Sequence, residues 1–155
     1  MFTSPTMGRM NWEEMMADIV QYITSAPDYR YKLIIGTDSQ SRNDTCLVTA
    51  VVVHRVGKGA RYYYRKKSQR KIKSLRQKIF YEAALSLEVA SRLADFLGAN
   101  GYSDLNVEIH LDVGKNGDTK EMIRELVGMV AGSGFDAKIK PYAYGASKVA
   151  DKHSK

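Results

Sequence analysis

The sequence is short of the residues that mark extracellular, zinc-binding or membrane-spanning proteins. It contains one cysteine, Cys46, and therefore cannot form the internal disulfides common in small secreted domains. One cysteine and three scattered histidines do not make a zinc-binding pattern. No apolar run approaches the roughly 18 residues that a membrane span needs, and the first residues lack the charged and apolar regions of a signal peptide. We therefore expect a cytoplasmic protein with no membrane partner.

One long stretch lacks acidic residues altogether. Residues 55–78, here called the basic stretch, contain eleven lysines and arginines and no acid, in a chain of formal net charge +7. Tyr62, Tyr63 and Tyr64 lie inside it. Because cations attract phosphates and tyrosine rings can stack on bases, we expect a nucleic acid partner, RNA, DNA or a hybrid. The alternative is a solvated helix start next to one amphipathic strand. The residues expected to contact nucleic acid are Arg65, Lys66, Lys67, Arg70 and Lys71.

The order of apolar patterns predicts an α/β protein. A chain of 155 residues has the length of one domain, which we place at 11–155, after a flexible tail at 1–10. Short connections make the first three predicted strands an antiparallel meander, and a long helix then allows the fourth strand to lie parallel beside the first. The predicted elements are a helix at 12–25, strands at 31–37, 46–54 and 60–65, a helix at 69–97, a strand at 105–112, a helix ending near 132, a strand at 136–140 and a short helix at 146–153.

Two of the predicted strands are followed by an aspartate. Asp38 comes after the buried run 33–35, and Asp112 ends the fourth strand. Since adjacent strands lie about 4.8 Å apart, carboxylates at matching ends of parallel strands can share a divalent ion. Without a metal, two such acids repel each other and one is forced to hold a proton. The alternative for Asp38 is an aspartate that caps the turn after its strand.

Three further acids are candidates on the predicted helices. On the long helix, Glu82 lies about 60° from the core-facing Ile79 and Glu88 about 180° from it, so Glu82 borders the buried stripe and Glu88 faces solvent. Asp151 lies on the last predicted helix. For Asp151 the alternative is a solvent-exposed acid near the end of the chain.

Three polar residues are candidates for supporting these acids. His110 shares a strand face with Asp112 and could hydrogen-bond to a metal ligand, although a buried structural histidine is the alternative. His153 follows Asp151 by two residues and could carry a proton at the mouth of the site. Ser39, directly after Asp38, is the third candidate for a supporting role.

The order of the acids along the chain resembles the ribonuclease H superfamily. More closely, residues 35–40 (IGTDSQ), 128–130 (GMV) and 146–153 (ASKVADKH) resemble the YkuK family of predicted ribonuclease-H-like nucleases. The resemblance implies a five-stranded mixed sheet of order 3-2-1-4-5 flanked by helices, here with an extra N-terminal helix. It also implies phosphodiester hydrolysis with two Mg²⁺ or Mn²⁺ ions. Carried over to this sequence, the catalytic metal ligands are Asp38, Glu82, Asp112 and Asp151.

The expected function is therefore that of a metal-dependent nuclease acting on RNA or DNA. The chain lacks the basic hybrid-binding insertion that follows the first crossover helix in ribonuclease HI, so a preference for RNA–DNA hybrids is not implied. The alternative is a non-catalytic nucleic-acid-binding protein on the same fold, which need not respond to Mg²⁺. An ATP-handling kinase related to actin would need two such domains and is excluded by length.

Overall fold

The computed structural model describes residues 1–114, 117, 119–140, 142–143, 146, 149 and 152–153. Within this part of the chain there are seven strands and three α-helices, and a single 3-10 turn, Lys120–Met122, leads into the last helix. Their bounds are β1 Phe2–Ser4, β2 Gly8–Met10, α1 Trp12–Thr24, β3 Tyr31–Ser41, β4 Asp44–Arg55, β5 Gly59–Arg70, α2 Leu75–Ala99, β6 Asn106–His110, α3 Ile123–Gly132 and β7 Asp136–Lys138.

The strands form one mixed sheet in the order β2-β1-β5-β4-β3-β6-β7. Strands β3, β4 and β5 are an antiparallel meander, whereas β6 runs parallel to β3 and β7 parallel to β6. The prediction of a mixed α/β sheet flanked by helices is confirmed. The predicted number of strands is wrong, because seven are present. The five predicted strands keep the order 3-2-1-4-5, and an N-terminal hairpin adds two more beside β5.

Residues 1–10 form that hairpin, so the flexible-tail prediction is wrong for them. Strands β1 and β2 pair with each other, and Thr3 of β1 pairs with Tyr64 of β5. The Phe2 side chain is completely buried and lies edge-on to Trp12, with 4.9 Å between ring centroids. The hairpin is stable because it pairs with the edge of the sheet at β5 and buries Phe2 and Met10. The sequence does not predict this burial, because neither residue lies in an apolar run.

The meander strands extend beyond their apolar parts. Strand β3 continues to Ser41 and β5 to Arg70, because backbone pairing continues between polar residues as far as Asp44 opposite Arg70. Helix α2 accordingly begins at Leu75 rather than at residue 69, with the Ser74 side chain accepting a hydrogen bond from the Gln77 amide. Asp38 therefore lies within a strand, and residues 59–70 of the basic stretch form a strand as well.

The two faces of the sheet are covered differently. Helices α1, α2 and α3 pack on one face, the helix-covered face, where they bury Leu33 and Ile35 of β3 in the main core. Ile34 points to the other side, the opposite face, where Ala146 and Val149 pack on it and on β4. Helix α1 is as predicted, with Asn11 and Glu14 forming a reciprocal N-terminal cap. No α-helix in the described ranges is both long and apolar enough to cross a membrane.

Gly36 allows the opposite face to be covered closely at the centre of the sheet. A Cβ atom on Gly36 would lie 2.9 Å from the Cβ of Ala146 and 3.3 Å from the carbonyl oxygen of His110. Any larger residue would therefore push Ala146 away from the sheet. Ala146, Val149, Lys152 and His153 all have helical backbone geometry. The remaining residues of the predicted last helix lie outside the described residues, as does the Asp151 prediction.

Candidate metal and nucleic-acid site

Asp38 and Asp112 come together at the end of β6. The parallel pairing of β3 and β6 ends with Gly36 opposite His110, and Asp112 follows His110 by two residues. Asp38 follows Gly36 by the same interval, so both aspartates lie two residues beyond the last paired positions. Both charges act on Glu82, and Asp38 also acts on Lys140, the partner of Asp112, so the two aspartates lie close together. Strand β6 ends at His110, whereas β3 continues to Ser41 without this neighbour. Side chains from both faces of the sheet can therefore meet there.

Glu82 on α2 is the third acid of this group. Its side chain is buried and accepts a hydrogen bond from the Ser39 hydroxyl at 2.5 Å. Burial raises the pKa of Glu82 to about 8; the Ser39 hydrogen bond opposes this rise, and the charges of Asp38 and Asp112 add to it. Glu88 has a 64% exposed side chain. The predicted burial of Glu82 and exposure of Glu88 are thus confirmed, while the metal-binding role of Glu82 stays a prediction.

Buried hydroxyl groups hold α2 against β3 one turn away from Glu82. The Thr37 hydroxyl lies 3.0 Å from that of Thr49 on β4 and 2.8 Å from that of Ser86 on α2. All three residues are buried, so these hydrogen bonds are sheltered from competing water. Because Ser86 follows Glu82 by four residues, the same helix face carries both contacts with β3. The position of the Glu82 carboxylate is thereby fixed relative to Asp38.

Lys140 is a residue of this site that the sequence analysis missed. Its Nζ atom lies 2.7 Å from Oδ1 of Asp112. The hydrogen bond and the charge of Asp112 raise the pKa of Lys140, and Asp38 adds to the rise. A signal was available, because Lys140 follows β7 as Asp112 follows β6, and the ends of parallel neighbours meet at one edge of a sheet.

The acids suit a divalent cation in their chemistry, but they do not form a finished metal site. In the described part of the chain, no three histidine, cysteine, aspartate or glutamate side chains converge as metal ligands do. The donors are nevertheless carboxylates, which Mg²⁺ and Mn²⁺ prefer. Burial is the main cause of the raised pKa of Glu82, the charges of Asp38 and Asp112 add to it, and a cation among the three acids would offset that repulsion. The donor chemistry of these residues therefore suits such an ion.

The predicted nucleic-acid contacts on β5 lie on both faces of the sheet, because alternate residues of a strand face opposite sides. Arg65 lies on the helix-covered face, with its guanidinium 5.3 Å from the ring centroid of Phe2, and the Lys67 ammonium lies 5.6 Å from that of Tyr81. Lys66 and Arg70 alternate with them and lie on the face of Asp38. Lys71 is exposed just after the strand. The structure thus brings Lys66 and Arg70 to the face of Asp38 and separates Arg65 and Lys67 from it.

Lys66 belongs to the same row across the sheet as Asp38. In the antiparallel register, Asp38 pairs with Val48 and Val48 pairs with Lys66. Lys66 therefore lies two strands, or about 10 Å, from Asp38. Lys140 stands on the other side of the acids, bonded to Asp112. The carboxylates consequently have an exposed lysine on either side.

The two histidine candidates have contacts of their own. His110 is buried, as the structural alternative predicted, and its Nε2 lies 3.1 Å from Oε1 of Glu108; burial holds the pKa of His110 below its usual range. The His153 ring stacks on Tyr64 with centroids 3.8 Å apart, and its Nε2 lies 3.2 Å from the Tyr62 hydroxyl. Both contacts of His153 are on β5, two strands from Asp38, so they dock the end of the chain on the sheet.

A mixed sheet of this order, with acids at the end of its central parallel pair and on the crossover helix, defines a ribonuclease H-like protein. The profile of that family, described as "Ribonuclease H-like", matches residues 14–155, and the chain belongs to this family. The curated relative "Uncharacterized protein YkuK" of Bacillus subtilis (strain 168) is 36% identical, and the match covers 100% of this chain and 97% of the relative. Both findings confirm the resemblance seen in the sequence.

Proposed function

We propose that the protein is a metal-dependent nuclease whose site is formed by Asp38, Glu82 and Asp112 and completed by Asp151. The observation that carries the proposal is the buried carboxylate of Glu82, which Ser39 holds beside Asp38. Burial raises its pKa, and the charges of both aspartates add to the rise. Carboxylates that lie close together despite their mutual repulsion are typical of sites that bind a cation. Family membership supports a nucleic-acid-related function.

These acids would hold two Mg²⁺ or Mn²⁺ ions. When bound, such ions supply the charge that makes a water molecule nucleophilic and that stabilises the departing oxygen of a phosphodiester. Ser39 orients Glu82 through its hydrogen bond, and the Thr37–Ser86 contact fixes the helix that carries Glu82. Lys140 balances the charge of Asp112 in the metal-free protein, and its side chain is exposed enough to turn toward a phosphate.

The substrate contacts Lys66 on the opposite face of the sheet, on the side of the N-terminal hairpin. Val48, between Lys66 and Asp38, is fully buried and does not take part in this contact. Next to Lys66 is a groove of about 510 Å³ that Arg9 of the hairpin, Tyr64 and Lys66 line. The two cations offer phosphate contacts, while His153 already stacks on the Tyr64 ring. Because Lys66 lies about 10 Å from Asp38, these contacts would hold the substrate beside the reacting phosphodiester rather than at it.

The proposal is tested by titrating Mn²⁺ against labelled single-stranded, duplex, hybrid and branched substrates. Wild-type protein should cleave at least one substrate only with metal, and Asp38→Asn should reduce the rate by about 100-fold or more. The melting temperature of Asp38→Asn should be equal or higher, because one of the repelling charges is gone. Asp95→Asn, an exposed aspartate on α2, is the matched control. Unchanged turnover in Asp38→Asn would contradict the mechanism.

A non-catalytic nucleic-acid-binding protein is the second candidate, and one contact favours it. The ion pair of Lys140 with Asp112 could be permanent, which would make Asp112 structural. In that case metal has no effect on binding, and Lys140→Gln destabilises the fold without creating activity. In the nuclease, by contrast, Lys140→Gln should raise the affinity for Mn²⁺, since the metal no longer competes with the ammonium group.

A further inference from the structure

A second cavity lies on the opposite face of the sheet, next to the beginning of β3. Its volume is about 730 Å³, within the range of small-molecule sites. Ile34 and Val52 contribute apolar surface, and Lys32 and Lys138 contribute cations. None of the proposed metal ligands that the structure describes, Asp38, Glu82 and Asp112, lines it. The cleavage proposed above therefore gives this cavity no role.

The one acid of this cavity is already balanced by protein groups. The Glu108 side chain is 8% exposed, and its Oε2 atom lies 3.4 Å from Nζ of Lys32 and 3.2 Å from Nδ2 of Asn106. Its Oε1 atom faces Nε2 of His110. Burial alone would raise the pKa of Glu108, but His110 and Lys32 outweigh it and lower the pKa. Glu108 is the one acid among the described lining residues, and Lys32 pairs with it. Lys138 therefore remains as an unbalanced cation, which suits the cavity to an anion.

A buried nitrogen of this cavity's wall has no hydrogen-bond partner among the described residues. The His110 side chain is 5% exposed, and its Nδ1 atom is buried without a hydrogen bond in the described structure. Since the other ring nitrogen faces the Glu108 carboxylate and carries the hydrogen, Nδ1 of the neutral ring is an acceptor. Buried polar atoms are usually satisfied, so an N–H or O–H donor from outside the protein would complete this ring.

We propose that this cavity binds a nucleoside monophosphate. The flat base packs on Ile34 and Val52, an N–H or O–H group of the ligand donates to Nδ1 of His110, and the phosphate pairs with Lys138. A nucleoside monophosphate combines the three required features: an apolar planar body, a hydrogen-bond donor and a compact negative charge. The proposal does not depend on cleavage at the carboxylates.

Calorimetry with adenosine 5′-monophosphate in the presence of EDTA tests the proposal without metal. We expect one binding site, with adenosine and inorganic phosphate each bound about tenfold more weakly, because each lacks one of the two anchoring features. Lys138→Gln should weaken the monophosphate about tenfold and leave adenosine unchanged. Equal affinity for the monophosphate and inorganic phosphate would mean an anion site only and would overturn the proposal.

A pair of alanine variants locates the ligand. Ala60 lines the cavity, so Ala60→Phe should fill it and abolish binding, whereas Ala84→Phe, at an exposed alanine on α2, should not. Asp38→Asn should bind the monophosphate as the wild type does. Binding that survives Ala60→Phe, or that is lost in Asp38→Asn, would place the nucleotide elsewhere and overturn the proposal. If Ala60→Phe fails to fold, the affinity of Lys138→Gln for the monophosphate still shows whether the ligand binds in this cavity.

Discussion

The two faces of the sheet use the same basic strand in opposite ways. On the helix-covered face, Arg61 of β5 lies 3.2 Å from an oxygen of Asp18 on α1, and the Tyr63 hydroxyl donates to the same carboxylate at 2.5 Å. On the opposite face, Tyr64 and Lys66 line a groove. Arg61 in the first group is partnered within the protein and attaches α1 to the sheet, whereas Lys66 in the second is exposed and has no ion pair with a described residue.

This difference shows that a run of like charge does not by itself define a binding surface. Arg65 has its guanidinium 5.8 Å from the ring centroid of Trp12, and Arg92 approaches the same ring at 4.3 Å. Such cations over aromatic rings stabilise the packing of α1 and α2. Only every second residue of β5 faces the acids, so about half of its positive charge is structural.

The largest effect on activity should come from replacing Glu82, the proposed metal ligand on α2. Glu82→Gln should reduce metal-dependent cleavage by about 100-fold or more at saturating Mn²⁺, because it removes a charge from the metal site. Glu88→Gln is the matched control, because Glu88 is an exposed glutamate on the same helix. This variant should cleave at the wild-type rate. Activity lost only in the Glu88 variant would reverse the assignment of the helix ligand.

The stability of the metal-free protein should fall as the pH rises. The pKa of Glu82 is about 8 in the folded protein and near 4.5 when unfolded, so between these values the folded state binds more protons. Its free energy of unfolding then decreases with pH, by at most about 1.4 kcal/mol per pH unit. Denaturant titrations of Glu82→Gln at pH 5 and pH 8 should lack this decrease. An equal decrease in wild type and variant would show that other groups cause it.

On the helix-covered face, Asp18→Ala should lower the free energy of unfolding by about 2 kcal/mol. The substitution leaves the buried Tyr63 hydroxyl without its acceptor and Arg61 without its counter-ion. Asp28→Ala, at an exposed aspartate after α1, should change stability little. Nucleic-acid affinity at a temperature where both variants are folded should be unaltered; a weaker affinity for Asp18→Ala would mean that the helix-covered face takes part in binding.

The smallest effect should separate two adjacent lysines. Lys66→Gln should reduce the slope of log affinity against log salt by about 0.7–0.9, the value for one lost phosphate contact. Lys67→Gln removes the same charge from the neighbouring residue on the other face and should leave the slope unaltered. Equal slopes for the two variants would contradict the division of β5 between the faces.

The sequence by itself determined which residues become buried or exposed along each element. Alternation in the strands and the angular position on α2 were enough to distinguish Glu82 from Glu88, and short connections were enough for the meander. The same patterns placed Asp112 close to the end of the fourth predicted strand, whereas Asp38 does not follow its strand, because β3 continues to Ser41. These properties are local, because they depend on the repeat of a strand or helix and on which residues avoid water.

Only the tertiary structure decided which distant residues meet. The hairpin at residues 2–10 depends on a sheet edge offered by β5, and the polar end of β5 depends on its pairing with β4. The Lys140–Asp112 pair and the Lys32–Glu108–His110 group likewise join neighbouring strands through their register. That register depends on turn geometry and on which faces of all the strands are buried together. The local pattern of one strand therefore shows where Lys140 or Glu108 lies along it, but not which residue of the neighbouring strand it meets.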